Sequence, residues 1–101
     1  MLSFTVLLFQ DPNEPKGWLG AVPAISAAHS EGETREEALA MTKEALELIL
    51  ALMLEDHESI PDDLLDFEAA KVGWCELLQA QDIIFESQRV FVRAEVMAVA
   101  A

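Results

Sequence analysis

Residues 31–56 read EGETREEALAMTKEALELILALMLED. Thr34 and Glu37 stand in the S/T-x-x-E relation that opens a helix. The hydroxyl accepts from the amide three residues on, and the glutamate reaches back to the amide of the cap. Glu36 and Glu37 also lie beside the positive end of the helix dipole, a placement that contributes about 0.3–1 kcal/mol each. Ala38, Leu39, Thr42, Ala45, Leu46, Ile49, Leu50 and Met53 then recur at helical spacing and form one broad inward face. Glu36, Lys43, Glu44 and Glu47 fall largely on the other side. The helix therefore starts at Thr34 and fades over residues 55–57, ahead of Pro61, since the residue before a proline is pushed out of the helical region.

Upstream, residues 3–10 (SFTVLLFQ) are β-branched and apolar, as a strand should be. DPNEPKG follows, and its two prolines, Asn13 and Gly17 mark a hairpin loop. WLGAVP (18–23) and ISAAHS (25–30), parted at Pro23, read as strands two and three of an antiparallel meander. Downstream, residues 62–81 carry a second, shorter helical pattern with Phe67, Ala70, Trp74, Leu77 and Leu78 on one side, weakened at Gly73. Residues 89–99 (RVFVRAEVMAV) alternate: Val90, Val92, Ala94 and Val96 face one way, Phe91, Arg93, Glu95 and Met97 the other. The predicted fold is α+β in the order β-β-β-α-α-β: a three-stranded antiparallel meander, a long helix, a second shorter helix and a closing strand.

The chain has 101 residues, enough for one domain spanning 1–101, and its 52% apolar content supplies a core. A domain this small buries a modest share of its surface, so a homo-oligomer, dimer or tetramer, is expected. The net charge is -13. The basic residues Lys16, Arg35, Lys43, Lys71, Arg89 and Arg93 are scattered. A phosphate-binding face concentrates its cations, so direct nucleic-acid binding is disfavoured and basic partners or cations are favoured. Cys75 is the only cysteine, which excludes an intrachain disulfide or a cysteine-based zinc site and fits a reducing cytoplasm. The start, MLSFTVLLFQDP, lacks the basic region and the cleavage site of a signal peptide. The apolar run 45–54 is too short, and too interrupted by Glu47, to span a bilayer, so no membrane association is expected.

GWLGAVP (17–23), EGETREEAL (31–39), EALELILALMLED (44–56) and IP (60–61), taken in this order and spacing, resemble the HicB antitoxin family and its stand-alone relatives. The family pattern is roughly G-Y-x-A-x-V-P in a strand, Q-G-D-T-x-E-E-A-L opening a helix, then E-D-G-x-x-I-P. Gly17, Trp18, Val22 and Pro23 match the first part. Gly32, Thr34, Glu36 or Glu37, Ala38 and Leu39 match the second, and Glu55, Asp56, Ile60 and Pro61 the third. Residues 1–61 therefore read as the family-matching core, and 62–101 as the second helix and C-terminal strand. The resemblance implies a partial RNase H-like unit that binds a small basic mRNA-cleaving toxin, HicA, and covers its active site. Many members add a C-terminal ribbon-helix-helix or helix-turn-helix domain that binds their own operator. Here the chain departs from the family. Ser26, Ala27 and Ala28 stand where the family often has P-G-C, and His29 replaces an apolar residue. Residues 62–101 offer only Lys71, Arg89 and Arg93 as cations, against Asp62, Asp63, Asp66, Glu68, Glu76, Asp82 and Glu86 before the last strand, unlike a DNA-binding module.

Two-metal phosphodiester cleavage needs carboxylates that hold ions about 4 Å apart. An RNase H-type site begins with an Asp inside the first strand, and SFTVLLF has none; Asp11 lies past its end. His29 and His57 flank a helix of about 30 Å and cannot share a metal within one chain. Cys75 has no basic neighbour to activate it, and no serine sits in a nucleophile elbow. No catalytic, metal or cofactor residues are expected. Trp18 and Trp74 are either binding anchors or large core side chains. Glu33, Glu36 and Glu37 are helix punctuation, docking charges or both. These five form the candidate partner-binding set. The expected function is a non-catalytic HicB-like interaction protein, by resemblance an antitoxin for a small basic RNA-cleaving toxin. The alternative is a structural or regulatory homo-oligomer without a toxin, joined through its C-terminal strand.

Overall fold

A nine-residue strand buried on both faces organises the molecule. The computed structural model describes residues 2–14, 17–63 and 66–94. β1 (Leu2–Gln10) lies between β2 (Trp18–Ala21) and β4 (Glu86–Val92), and β3 (His29–Gly32) flanks β2. The sheet order is β3-β2-β1-β4, every pair antiparallel. Successive side chains of a strand point to opposite faces. Phe4, Val6 and Leu8 accordingly join the core under α1 (Arg35–Glu55), while Thr5, Leu7 and Phe9 face the other way, and all six are buried. That double burial explains why FTVLLF is a continuous apolar run rather than an alternating one.

The cap forms as the sequence expects in one half only. Thr34 Oγ1 accepts from the Glu37 amide at 3.0 Å. Glu37 Oε1, however, accepts from the Glu33 amide at 3.4 Å instead of reaching the amide of Thr34. The extended backbone at Thr34 (φ -127°, ψ 163°) turns the Glu33 amide toward the first helical turn. Ala38, Thr42, Leu46 and Leu50 form the buried ridge, and Leu39, Ile49 and Met53 pack against it partly buried. Leu46 and Leu50 are fully buried, each contributing about 1.5–3 kcal/mol. α1 crosses β2 over Gly20, where a Cβ would lie 3.1 Å from Thr42 Cβ and 3.2 Å from the Ala38 carbonyl.

α1 stops in a Schellman arrangement. The Glu58 amide donates to the Met53 carbonyl at 2.8 Å and the His57 amide to the Leu54 carbonyl at 3.1 Å. His57 carries the turn at φ 58°, in the position where the E-D-G-x-x-I-P pattern has its glycine. A left-handed conformation costs a side chain that glycine lacks. His57→Gly is therefore expected to raise unfolding free energy by about 0.5–1 kcal/mol, as read by urea denaturation.

The third strand differs from its sequence-based placement at 25–30. Residues 23–27 form tight turns, with the Ile25 amide on the Val22 carbonyl at 3.0 Å and the Ala28 amide on the Ile25 carbonyl at 2.9 Å. Ile25 and Ala28 plug the core from this turn, so their burial does not signal a strand. Pairing starts only at His29 and runs into the acidic stretch as far as Gly32. The closing strand begins three residues earlier than expected, at Glu86, because β1 offers partners as far as Leu8. Val90 and Val92 are buried and Phe91 is exposed, as the alternation predicts. Strand pairing ends at Val92, and the expected continuation through 95–99 lies outside the described residues.

α2 (Glu68–Leu78) lies on the face of the sheet opposite α1, and none of its residues is buried. Trp74 anchors it to the sheet, tilted against Phe9 at 5.4 Å, with Phe85 also on Phe9 at 4.7 Å. Leu77, expected on the inner side, is 71% exposed. Between the helices, Asp63 seals a gap in the sheet. β2 pairs with residues 7–10 of β1, so among the described residues the outer half of β1 has no strand on that side. There Asp63 accepts from the Thr5 amide at 2.9 Å and from the Thr5 hydroxyl at 2.8 Å. Hydrogen bonds to an ionised carboxylate are the stronger kind. Asp63→Ala would leave both donors unmet, an expected loss of about 2 kcal/mol in a chemical denaturation curve.

Candidate functional site

The β1–β2 loop, the end of β3 and the first turns of α1 enclose an open cleft of about 1060 Å³. The loop is fixed by the Asp11 amide on the Gly17 carbonyl (3.0 Å), the Gly17 amide on the Glu14 carbonyl (2.9 Å) and an Asx turn from the Asn13 amide to Asp11 Oδ1 (2.8 Å). The antiparallel register then sets Gln10 beside Trp18 and Trp18 beside Gly32. Trp18 is half-buried, packed on the edge of the core, and lines the cleft with Met41 of α1. Met41 is 43% exposed, an apolar surface that the fold leaves open. Around this apolar floor stand Asp11, Glu14, Glu31, Glu33 and Glu37.

Among the described residues lining the cleft there is no lysine or arginine. Five carboxylates with an indole and a thioether beneath them suit a guanidinium or ammonium group, which gains both charge attraction and contact with an aromatic face. Among the described residues no three Asp, Glu, His or Cys side chains are placed to hold a metal ion. His29 sits exposed on β3, its ring 5.7 Å from that of Trp74, and His57 lies at the far end of the 21-residue α1. Cys75 is a free, half-buried thiol on α2. No described helix is long and apolar enough to cross a membrane.

The fold gathers three of the candidate residues and separates two. Trp18, Glu33 and Glu37 share the cleft. Glu36 points to the flank of α1, in a shallow groove with Lys43, Arg89 and Phe91. Trp74 lies across the sheet, where it binds Phe9 and faces His29. Asp11, Glu14, Glu31 and Met41, absent from the candidate set, complete the cleft. For Asp11 and Glu14 the signal was the hairpin itself: a meander returns the β1–β2 loop to the same end of the sheet as the start of the helix.

No family model matches the chain. A UPF0150 protein of Synechocystis sp. is 33% identical over 61 residues, which cover 60% of this chain and 75% of that protein. Antitoxin HicB 1 of Photorhabdus laumondii is 41% identical over 51 residues, half of this chain but only 33% of that longer protein. Among solved structures, the N-terminal domain of the Burkholderia pseudomallei antitoxin HicB superposes with a TM-score of 0.60 at 22% identity, covering 89% of this chain and 99% of that one. The B. pseudomallei antitoxin HicB superposes with a TM-score of 0.66 at 21% identity, covering 100% of this chain and 73% of that one. The structural likeness fixes the fold, and the sequence match fixes the kinship. This chain belongs to the UPF0150 family and has the HicB-like fold.

Proposed function

We propose that this protein is a non-catalytic, cytoplasmic antitoxin-type module that docks a small basic protein, an RNA-cleaving toxin, at the cleft beside α1. The observation that supports it most is the ring of Asp11, Glu14, Glu31, Glu33 and Glu37 around half-buried Trp18 and exposed Met41. Such a surface steers a cationic partner by long-range attraction and holds it through an aromatic anchor. The relation to a protein named antitoxin HicB makes the partner a toxin; one that acts on RNA, as the family resemblance implies, is itself basic, because it must approach phosphates. Trp18, Glu33 and Glu37 carry the contact, with Glu36 at its margin. Trp74 serves the sheet-to-α2 packing first, and reaches a partner only across the opposite face.

The test is capture from the native host. The chain, used as bait at low salt, retains a small basic protein that elevated salt releases and whose RNA cleavage stops when the chain is added back. Failure to retain any basic protein rejects the proposal. A second reading, a structural or regulatory homo-oligomer with no toxin, draws on a separate observation, the outer edge of β4, unpaired among the described residues.

A further inference from the structure

The sheet has two outer edges, and they are chemically unlike. β3 is four residues long and bears Glu31, with Glu33 just beyond it. Two copies meeting there would press carboxylates together. β4 is seven residues long, without proline. Its hydrogen-bonding phase follows from Thr5, whose amide donates to Asp63 and not to β4. Bonded and non-bonded pairs alternate in an antiparallel ladder. The Thr5–Arg89 pair is therefore a non-bonded one, and Ser87, Arg89 and Phe91 direct their N–H and C=O groups away from β1. Among the described residues these outward amides have no partner, and the Arg89 carbonyl accepts only from the adjacent Gln88 side chain at 3.3 Å.

The surroundings of this edge are unusual for so acidic a chain. Four of the six cations gather there: Arg35 pairs with Glu86 at 3.4 Å, Lys43 and Arg89 share a groove, and Arg93 follows the strand. Among the described residues Glu36, Glu47 and Glu86 stand against them, so the described face is close to neutral in a molecule of charge -13. A basic partner has nothing to gain here, whereas a second copy meets no repulsion. Phe91 adds an apolar side chain that is 58% exposed.

We infer that two copies of this chain join edge to edge through antiparallel β4 strands, with Arg89 of each opposite Phe91 of the other. The inference rests on the homo-oligomer reading above and names its joint. The register follows from the outward groups. Centring the pair on Arg89 would oppose two guanidinium groups. Centring it on Val90 bonds the outward amides of Arg89 and Phe91 to each other across the joint, leaves the Arg93 amide on Glu47 Oε2 at 3.2 Å, and sets the two Val90 side chains together on the α1 face. It also lays each Arg89 against an aromatic ring on the other face. The added strand covers the groove between Leu39, Ala40 and Phe91, and the two sheets become one.

Light scattering on the full chain tests this. The wild type is expected at an even multiple of 11.1 kDa. Arg89→Pro removes an N–H that the chain does not use internally, and Phe91→Lys opposes a second cation to Arg89; each should halve the mass with unchanged circular dichroism. Phe91→Glu, which gives Arg89 a carboxylate, should keep the native mass. A monomeric wild type overturns the joint and the homo-oligomer reading together. An oligomer that survives both Arg89→Pro and Phe91→Lys overturns the joint alone, and dissociation by Phe91→Glu overturns the register.

Discussion

Gly32→Ala is expected to destabilise this protein strongly. Gly32 ends β3 one residue before the loop into α1, and the first helical turn lies directly on it. A Cβ there would sit 2.6 Å from the Ala38 amide nitrogen, 2.9 Å from the Glu37 carbonyl carbon and 2.9 Å from Glu37 Cβ. Two of those three atoms are backbone, so no rotamer change relieves the clash. The helix must lift from β3, which loosens the cap at Thr34 and the burial of Ala38. Overpacking of this kind costs about 3 kcal/mol. In a domain of this size that lowers Tm by about 12–24 °C, measurable by calorimetry or thermal circular dichroism. The same contact gives a physical reason for a glycine in the G-x-T-x-E-E-A-L stretch: helix backbone rests on strand backbone, with no room for a side chain.

The triple variant Glu14→Lys, Glu31→Lys, Glu33→Lys is expected to weaken binding of a small basic partner by at least about 100-fold. All three side chains are exposed, none caps α1, and each lines the cleft. Reversal therefore changes the field at the cleft without touching the core. Removing a charge at a rim costs little, but placing like charges against a cationic partner costs several kcal/mol. Most of the loss should appear in the association rate at low ionic strength and should shrink as salt screens the field. The melting curve of the free chain should stay within about 1 kcal/mol of wild type.

The fold was largely legible because its strongest signals are local. The Thr34 half of the S/T-x-x-E cap, the 3.6-residue apolar period of α1 and the β-branched run of β1 are each set by neighbours in sequence, and each appears where those neighbours put it. The third strand was not, because Ile25 and Ala28 are apolar for the sake of the core and not of a sheet. A buried turn and a short strand have the same composition. The inner face of α2 was misread for a related reason: Trp74 is held by Phe9, but Leu77 has nothing above it, and periodicity alone does not say whether a matching surface exists. Of the cleft, the sequence offered the carboxylates at the helix mouth and Trp18. It hid Asp11 and Glu14, which reach the same opening only through the register of β1 with β2. Glu36 and Glu37 are adjacent in sequence yet look out on different surfaces, since one residue turns a helix by about 100°.

A single side-by-side capture bears most directly on the idea that this chain acts by offering an acidic surface to a basic protein. Wild type and the Glu14, Glu31, Glu33 triple lysine variant are immobilised and exposed to lysate of the native host at low salt, and the retained proteins are weighed by mass spectrometry. The expected result is one small protein of pI above about 9 on the wild type, eluted by salt and missing from the variant. Equal retention of the same proteins by both baits, or no basic protein on either, would contradict it.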